Sequence, residues 1–321
     1  MLWRDSTSAW KSVRILASKK QFRTEFYEKD YWVTQALRTL AREFPNDFVF
    51  KGGTSLSKAF HCIQRFSEDA DILVLQNGRT KGEIDRLMRQ MAERVMSESG
   101  LTRNSVASES GRGTHRNEML RYSPFSKVDE VLLDSSIRLE MGIRGSDVPT
   151  HLMRPIRPLV AEHLLAEGDN ISEFDDLAQF DVSVLHPGRT LVEKLILLHQ
   201  YFTPSAGPQS QKSKSQIGRH FHDVHRLIEM SVIREWLANR EEFFAAIADH
   251  EEICRTHFKQ WVPPRPALGY AQSQAFTGSS QGDMLPTEAY EAAMRELGFG
   301  ANGHPPWSEV LATVKQHSSL L

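Results

Sequence analysis

Cysteine is scarce in this chain of 321 residues: Cys62 and Cys254 are its only two. Neither sits in a C-x-x-C or other metal-ligand spacing, which argues against a disulfide framework or a zinc ribbon. Long apolar runs are missing too, with no segment approaching the roughly 20 residues that span a bilayer. The N-terminus, Met1-Leu2-Trp3-Arg4-Asp5, meets charge at once, unlike a secretion signal. The expectation is a soluble, cytoplasmic protein with no membrane partner. Nor is there an excess of one charge. Lys and Arg number 39 against 41 Asp and Glu, a formal net charge of −2, so any contact with nucleic acid must come from local patches. Internal repeats are also absent. What is present is 40% hydrophobic and 25% charged residues, enough for a buried core in one large domain or two ordinary ones.

Periodicity divides the chain. Residues 6 to 44 read as two helices, Phe48-Val49-Phe50 as a buried strand stopping at Gly52-Gly53, and 54 to 64 as a helix. Ala70 to Leu75 reads as a second strand and 80 to 98 as an amphipathic helix. Between 102 and 144 the pattern is strand-like, interrupted by a Gly-rich excursion at Ser108 to Thr114. Its clearest strand is Ile137 to Ile143, where Ile137, Leu139, Met141 and Ile143 alternate with Arg138, Glu140 and Gly142. Beyond Pro155 and Pro158 the spacing turns helical: 159 to 167, 188 to 202, 216 to 230, 232 to 247, 287 to 297 and 307 to 317. Thr203 to Ser215 and Val262 to Pro286 read as loops. The expected fold class is therefore α+β: an α/β lobe over residues 1–157 and a mainly helical lobe over 158–321.

The chemistry concentrates near residue 50. A strand ends in Lys51-Gly52-Gly53, Thr54 and Ser55 open a helix, and a second strand carries Asp69-Ala70-Asp71. Glycines let backbone approach a triphosphate, amides at a helix start attract its charge, and Thr54 or Ser55 can add a hydroxyl. Asp69 and Asp71, two apart on a strand, project from one face while Ala70 and Ile72 point inward. Two such carboxylates repel unless a cation lies between them, and Mg²⁺ (or Mn²⁺) suits an oxygen-only site completed by substrate phosphates. The bland alternative is a simple turn and a capped strand end. Glu140 is a candidate third carboxylate, with a salt bridge to Arg138 as its alternative. Lys194 lies in an apolar helix and either snorkels to solvent or reaches a phosphate. Asp223 has Arg219 at (i, i+4) as a ready partner. Lys51 and Lys58 flank the turn, as nucleotide contacts or as ordinary surface lysines.

The turn followed by D-x-D resembles the polymerase β-like nucleotidyltransferases. More narrowly, F-K-G-G-T-S-L-S-K (50–58) with R-F-S-E-D-A-D-I (65–72) is similar to the AbiEii/AbiGii toxin family of type IV toxin–antitoxin and abortive-infection systems. Glu28-Lys29-Asp30-Tyr31, Thr190 to Leu195 and Arg219 to Asp223 resemble three further family stretches, so the likeness spans about residues 25 to 230. It implies a polymerase β-like lobe completed by the helical one. It also implies metal held by Asp69, Asp71 and Glu140, and nucleotide held at Gly52, Gly53, Thr54, Ser55 and Lys58. Lys194 would reach a phosphate, and Asp223 would assist the attacking hydroxyl or orient Lys194. The implied reaction transfers a nucleoside monophosphate from an NTP to an acceptor hydroxyl, with RNA, at the tRNA 3′ end, as the first acceptor to test and a cognate antitoxin protein as partner.

Two other readings follow from residues alone. His222-Asp223 suggests an HD-like metal phosphohydrolase, and a non-catalytic nucleotide-binding module would bind without turnover. The run His220-x-His222-x-x-His225, with His199 nearby, tempts a zinc assignment, but only His222 and His225 share a helical face and a fourth ligand is not evident. Lys11, Arg14, Lys19, Lys20 and Arg23, and Arg112, Arg116 and Arg121, form local basic patches that suit either a solvated face or RNA phosphates.

Overall fold

The structure, a computed structural model, describes residues 1–63, 69–124, 135–146, 148–203, 213–259, 262–278, 285–297 and 303–321. The chain divides into two compact units, residues 1–144 with 151–185, and residues 145–150 with 186–321.

The first unit runs α1 (Thr7–Lys20), α2 (Thr24–Glu43), β1 (Phe48–Lys51), α3 (Gly52–Lys58), β2 (Asp69–Val74) and α4 (Lys81–Ser99). It continues β3 (Thr102–Arg103), β4 (Glu109–Ser110), β5 (His115–Arg121), β6 (Ser136–Gly142), β7 (Leu152–Ile156), α5 (Leu159–Ala166) and β8 (Phe180–Val184). The strands form one mixed sheet in the order β3-β5-β6-β2-β1-β8-β7, with β4 paired to β5. β2 runs antiparallel to β1 and parallel to β6, and β8 runs parallel to β1. Alternation then decides which side chain goes where. Phe48, Phe50, Ala70, Ile72, Ile137, Leu139 and Met141 share the face that is buried, and α2 and α4 pack there. The opposite face takes Lys51, Asp69, Asp71, Arg138 and Glu140.

The sheet continues past the expected division at 157/158. β8 carries Phe180, Val182 and Val184 alternating with Asp181 and Ser183, and it pairs beside β1, so the sheet closes only at Leu185. Five alternating residues between helical stretches are a weak period-2 signal. Pro155 lies in edge strand β7, where a missing N–H is tolerated.

Two buried carboxylates fasten this unit. Asp176 accepts from Trp3 N at 2.7 Å, Arg4 N at 3.2 Å and Tyr31 Oη at 2.5 Å. Asp30 pairs through one oxygen with Lys58 Nζ at 2.6 Å and accepts Leu159 N at 2.6 Å through the other, joining α2, α3 and the start of α5. Glu28, Lys29 and Asp30 are all buried, although a charged triplet usually marks a solvated face.

The second unit is helical: α6 (Pro187–Phe202), α7 (Lys214–Glu229), α8 (Ser231–Ala238), α9 (Arg240–Phe258), α10 (Gln274–Thr277), α11 (Pro286–Glu296) and α12 (Trp307–Gln316). The expected helix over 232–247 is two, broken at Asn239, whose side chain caps α9 by accepting from Glu242 N. The segment 262–286, expected as loop throughout, contains α10; residues 279–284, like 204–212 of the other expected loop, lie outside the described residues. α7 packs against α11 so closely that a Cβ on Gly218 would lie 1.8 Å from Ala289 O. Arg189, wholly buried, is held by Asp249 at 2.6 Å and the Val148 carbonyl at 3.0 Å. Among the described residues no helix is long and apolar enough to cross a membrane.

Glu162 on α5 sits half-buried beside this Asp30–Lys58 pair. Burial pushes its carboxyl up to about 7, Lys58 opposes the shift and Asp30 adds to it. A carboxyl raised in the folded state binds more protons than the unfolded chain between about pH 4.5 and 7, so stability falls as pH rises through that window. Glu162→Gln is expected to remove this decline, at most about 3 kcal/mol, leaving the urea midpoint at pH 8 higher than wild type and that at pH 4 little changed.

Candidate active site

Register brings the acidic residues together. Asp71 lies opposite Glu140 on β6 and opposite Lys51 on β1, while Asp69 lies opposite Arg138. Directly opposed residues have Cβ atoms about 5 Å apart and share a face, so Asp69, Asp71 and Glu140 converge as the alternation demanded. Ala70 and Ile72 are fully buried beneath them.

The glycine bend belongs to the same site. Gly52 has φ +76°, a conformation L side chains rarely adopt, and a Cβ there would stand 1.8 Å from Asp71 Oδ2. The Asp71 carboxylate thus occupies the space that any other residue at position 52 would fill. β1 ends here and α3 begins, without a side-chain cap from Lys51. Lys51 Nζ instead donates to the Arg144 carbonyl at 2.8 Å.

The hydroxyls of the turn and Lys58 have partners within the protein. Thr54 Oγ1 donates to the Asp69 backbone carbonyl, and Ser55 Oγ donates to the Gly52 carbonyl at 2.9 Å; both residues are buried. These hydroxyls tie α3 to the start of β2 and close the bend. Lys58 is buried against Asp30, where it joins elements of the fold. Residues 65–68 of the quoted motif lie outside the described residues.

Arg138 Nη1 lies 3.2 Å from Glu140 Oε1 and its Nε 4.0 Å from Asp69 Oδ1. The salt bridge considered as the alternative for Glu140 is therefore present. Arg138 is 42% exposed and Glu140 34%, and pairs this open to solvent contribute only about 0–1 kcal/mol. A divalent ion can displace such a contact. Three carboxylates on one face, two of them touched by a displaceable arginine, fit a hard cation that takes oxygen ligands.

In the second unit, Lys194 Nζ lies 2.9 Å from Asp223 Oδ2, with Asp223 wholly buried and Lys194 8% exposed. Asp223 thus has Lys194, on another helix, as an ion-pair partner. His220 Nδ1 is 3.3 Å from Lys194 Nζ, and His222 Nδ1 is 3.4 Å from Asp223 Oδ1. This leaves Asp223 enclosed by a lysine and a histidine, a poor start for an HD-type metal site. His199 faces Ser273 and the Pro264 carbonyl, and burial lowers its pKa. The four histidines therefore do not converge. Of the basic patches, Lys19 and Lys20 pair with Glu167, and Arg116 with Glu118 and Asp85.

Comparison with known proteins decides the class. A family model described as the nucleotidyl transferase AbiEii toxin of type IV toxin–antitoxin systems matches residues 35–313. The chain belongs to this family. It is an enzyme of the nucleotidyltransferase class and a type IV toxin, so the hydrolase and non-catalytic readings fall away. The solved structure of MenT4, a nucleotidyltransferase toxin from Mycobacterium tuberculosis H37Rv, matches with a TM-score of 0.57 at 14% identity, covering 96% of this chain and 88% of that one. At that identity the likeness speaks for the fold alone. No curated protein sequence matches.

Gly52→Ala places a methyl group where Asp71 Oδ2 now sits, at a φ that disfavours it. Nucleotidyl transfer is expected to fall at least about a hundredfold, the scale on which small misplacements act. Gly82→Ala in α4, where a Cβ meets nothing within 4 Å, serves as the matched control and should retain full activity.

Proposed function

We propose that this toxin transfers a nucleoside monophosphate from an NTP to a hydroxyl of RNA, with the tRNA 3′ end as acceptor, using divalent metal held by Asp69, Asp71 and Glu140. The observation that carries the metal reading is the convergence of those three carboxylates beside Gly52, with Asp71 Oδ2 against its Cα. Magnesium or manganese there would supply activation of the attacking oxygen and neutralisation of the pyrophosphate leaving group.

The protein's own residues do the rest. Gly52 and Gly53 keep the bend free of side chains, so the triphosphate can approach the carboxylates through backbone at Gly52 to Ser55. Thr54 and Ser55 act by holding that bend rather than by offering hydroxyls, and Lys58 by fixing α3 onto Asp30. Lys194 supplies positive charge to the nucleotide phosphates, and Asp223 orients it. A lysine paired at 2.9 Å with a fully buried carboxylate is held in place, which a phosphate-binding point charge requires. The family implies a cognate antitoxin as partner. RNA as acceptor rests on the resemblance, since the net charge of −2 gives no general attraction and Lys19, Lys20 and Arg116 of the local basic patches are paired with carboxylates.

The test is incubation of purified protein with each labelled NTP, Mg²⁺ and total RNA. Label is expected on a tRNA-sized species, reduced at least about a thousandfold by Asp71→Asn and about a hundredfold by Lys194→Ala. Label on protein would redirect the acceptor while leaving the chemistry; transfer undiminished in Asp71→Asn would overturn the assignment.

A further inference from the structure

Helices α7 and α12 present a second set of ligand-type side chains, apart from the Lys194–Asp223 pair. His225 and Glu229 stand four apart on α7, and Glu309 and Thr313 four apart on α12, so each pair lines one helical face. The His225 side chain is 1% exposed. Its Nδ1 is 3.0 Å from Thr313 Oγ1. Its Nε2 is buried and makes no hydrogen bond, yet it points at two carboxylates: Glu229 Oε2 at 3.4 Å and Glu309 Oε1 at 3.7 Å. One ligand atom from each of the three lies within 4.8 Å of the others.

A buried imidazole nitrogen without a hydrogen bond is costly, typically about 1–3 kcal/mol, and two carboxylates at this range are poor company for a lone pair. A cation between them removes both costs. Tetrahedral zinc, with bonds of about 2.0–2.2 Å to nitrogen and oxygen, sets neighbouring ligand atoms about 3.3–3.5 Å apart. The observed 3.4 and 3.7 Å are close to that spacing before any ion has drawn the groups in. Thr313 supplies the contact a metal-binding histidine characteristically has, a hydrogen bond on the other ring nitrogen that fixes its tautomer and orientation. Arg226 Nη1 holds the same Glu229 oxygen at 2.8 Å, but it is 35% exposed and free to swing aside.

We propose that His225, Glu229 and Glu309 form a divalent-metal site of the zinc class that fastens α12 to α7. It has one nitrogen and two oxygen ligands and an outer position open to water, because Glu229 is 40% and Glu309 54% exposed. α7 also carries Asp223, so an ion at this place stiffens the helix that orients Lys194. The role is separate from the carboxylates of the sheet.

The full-length chain with Asp71→Asn, which weakens metal binding at the sheet, is stripped with chelator and titrated with ZnCl₂ by calorimetry, with thermal melts alongside. One equivalent of zinc and a raised Tm are expected, with cobalt(II) giving the visible absorption of a four-coordinate site. Adding Glu309→Gln or Glu229→Gln, both at exposed positions, should weaken zinc binding at least about tenfold and remove the rise in Tm. Thr313→Val should weaken it about tenfold. Zinc binding and melting shifts unchanged by both glutamine substitutions, or no zinc bound at all, overturn the proposal.

Discussion

Mutual repulsion among three carboxylates on adjacent strands is the constraint around which the first unit is arranged. Two unit charges about 5 Å apart at an effective dielectric of about 20 repel by about 3 kcal/mol, and Asp71 faces both Asp69 along its own strand and Glu140 across the sheet. A fold tolerates this only where something of opposite charge is to be held. The surroundings keep the cluster in place: Ala70 and Ile72 anchor β2 from below, Thr54 grips the Asp69 carbonyl, and Gly52 yields its side-chain volume to Asp71. Arg138 offsets part of the repulsion through half-exposed contacts weak enough to be exchanged.

The same logic explains the buried charges elsewhere. Asp30, Asp176 and Asp223 are each enclosed, and each has cationic, N–H or O–H partners at 2.5–3.2 Å, so their burial is compensated. Removing one partner of such a pair costs about 3–5 kcal/mol, far more than its net contribution, because the other charge is stranded. Lys58 and Lys194 are alike in being buried helical lysines, each paired with one aspartate. Lys58 is bound by Asp30, which also anchors α5, and so serves the fold. Lys194 is bound by an Asp on the neighbouring helix α7, an arrangement that presents a charge.

Much of this was legible in the residues. Strict alternation in Ile137–Ile143 and the D-x-D spacing put Glu140, Asp69 and Asp71 on one face, and the paired glycines marked the bend. What the sequence hid depends on long-range partners. Nothing near Lys58 reveals Asp30, and nothing near Thr54 reveals that its hydroxyl is taken by a carbonyl 15 residues on. β8 escaped notice because five alternating residues carry little periodicity until β1 is known to lie beside them. Within the H-x-H-x-x-H run the histidines separate, and His225 finds its companions one turn along and, at Glu309, on the last long helix. No local spacing could have announced that pairing.

The most direct measurement is anomalous diffraction from crystals soaked with Mn²⁺ and a non-hydrolysable NTP analogue. A manganese peak within bonding distance, about 2.2 Å, of Asp69 and Asp71, with Arg138 released from Glu140 and the analogue's phosphates lying along Gly52–Ser55, is the expected result. An empty sheet face, with Arg138 still on Glu140 and the nucleotide bound elsewhere, would contradict the metal-holding role of those carboxylates.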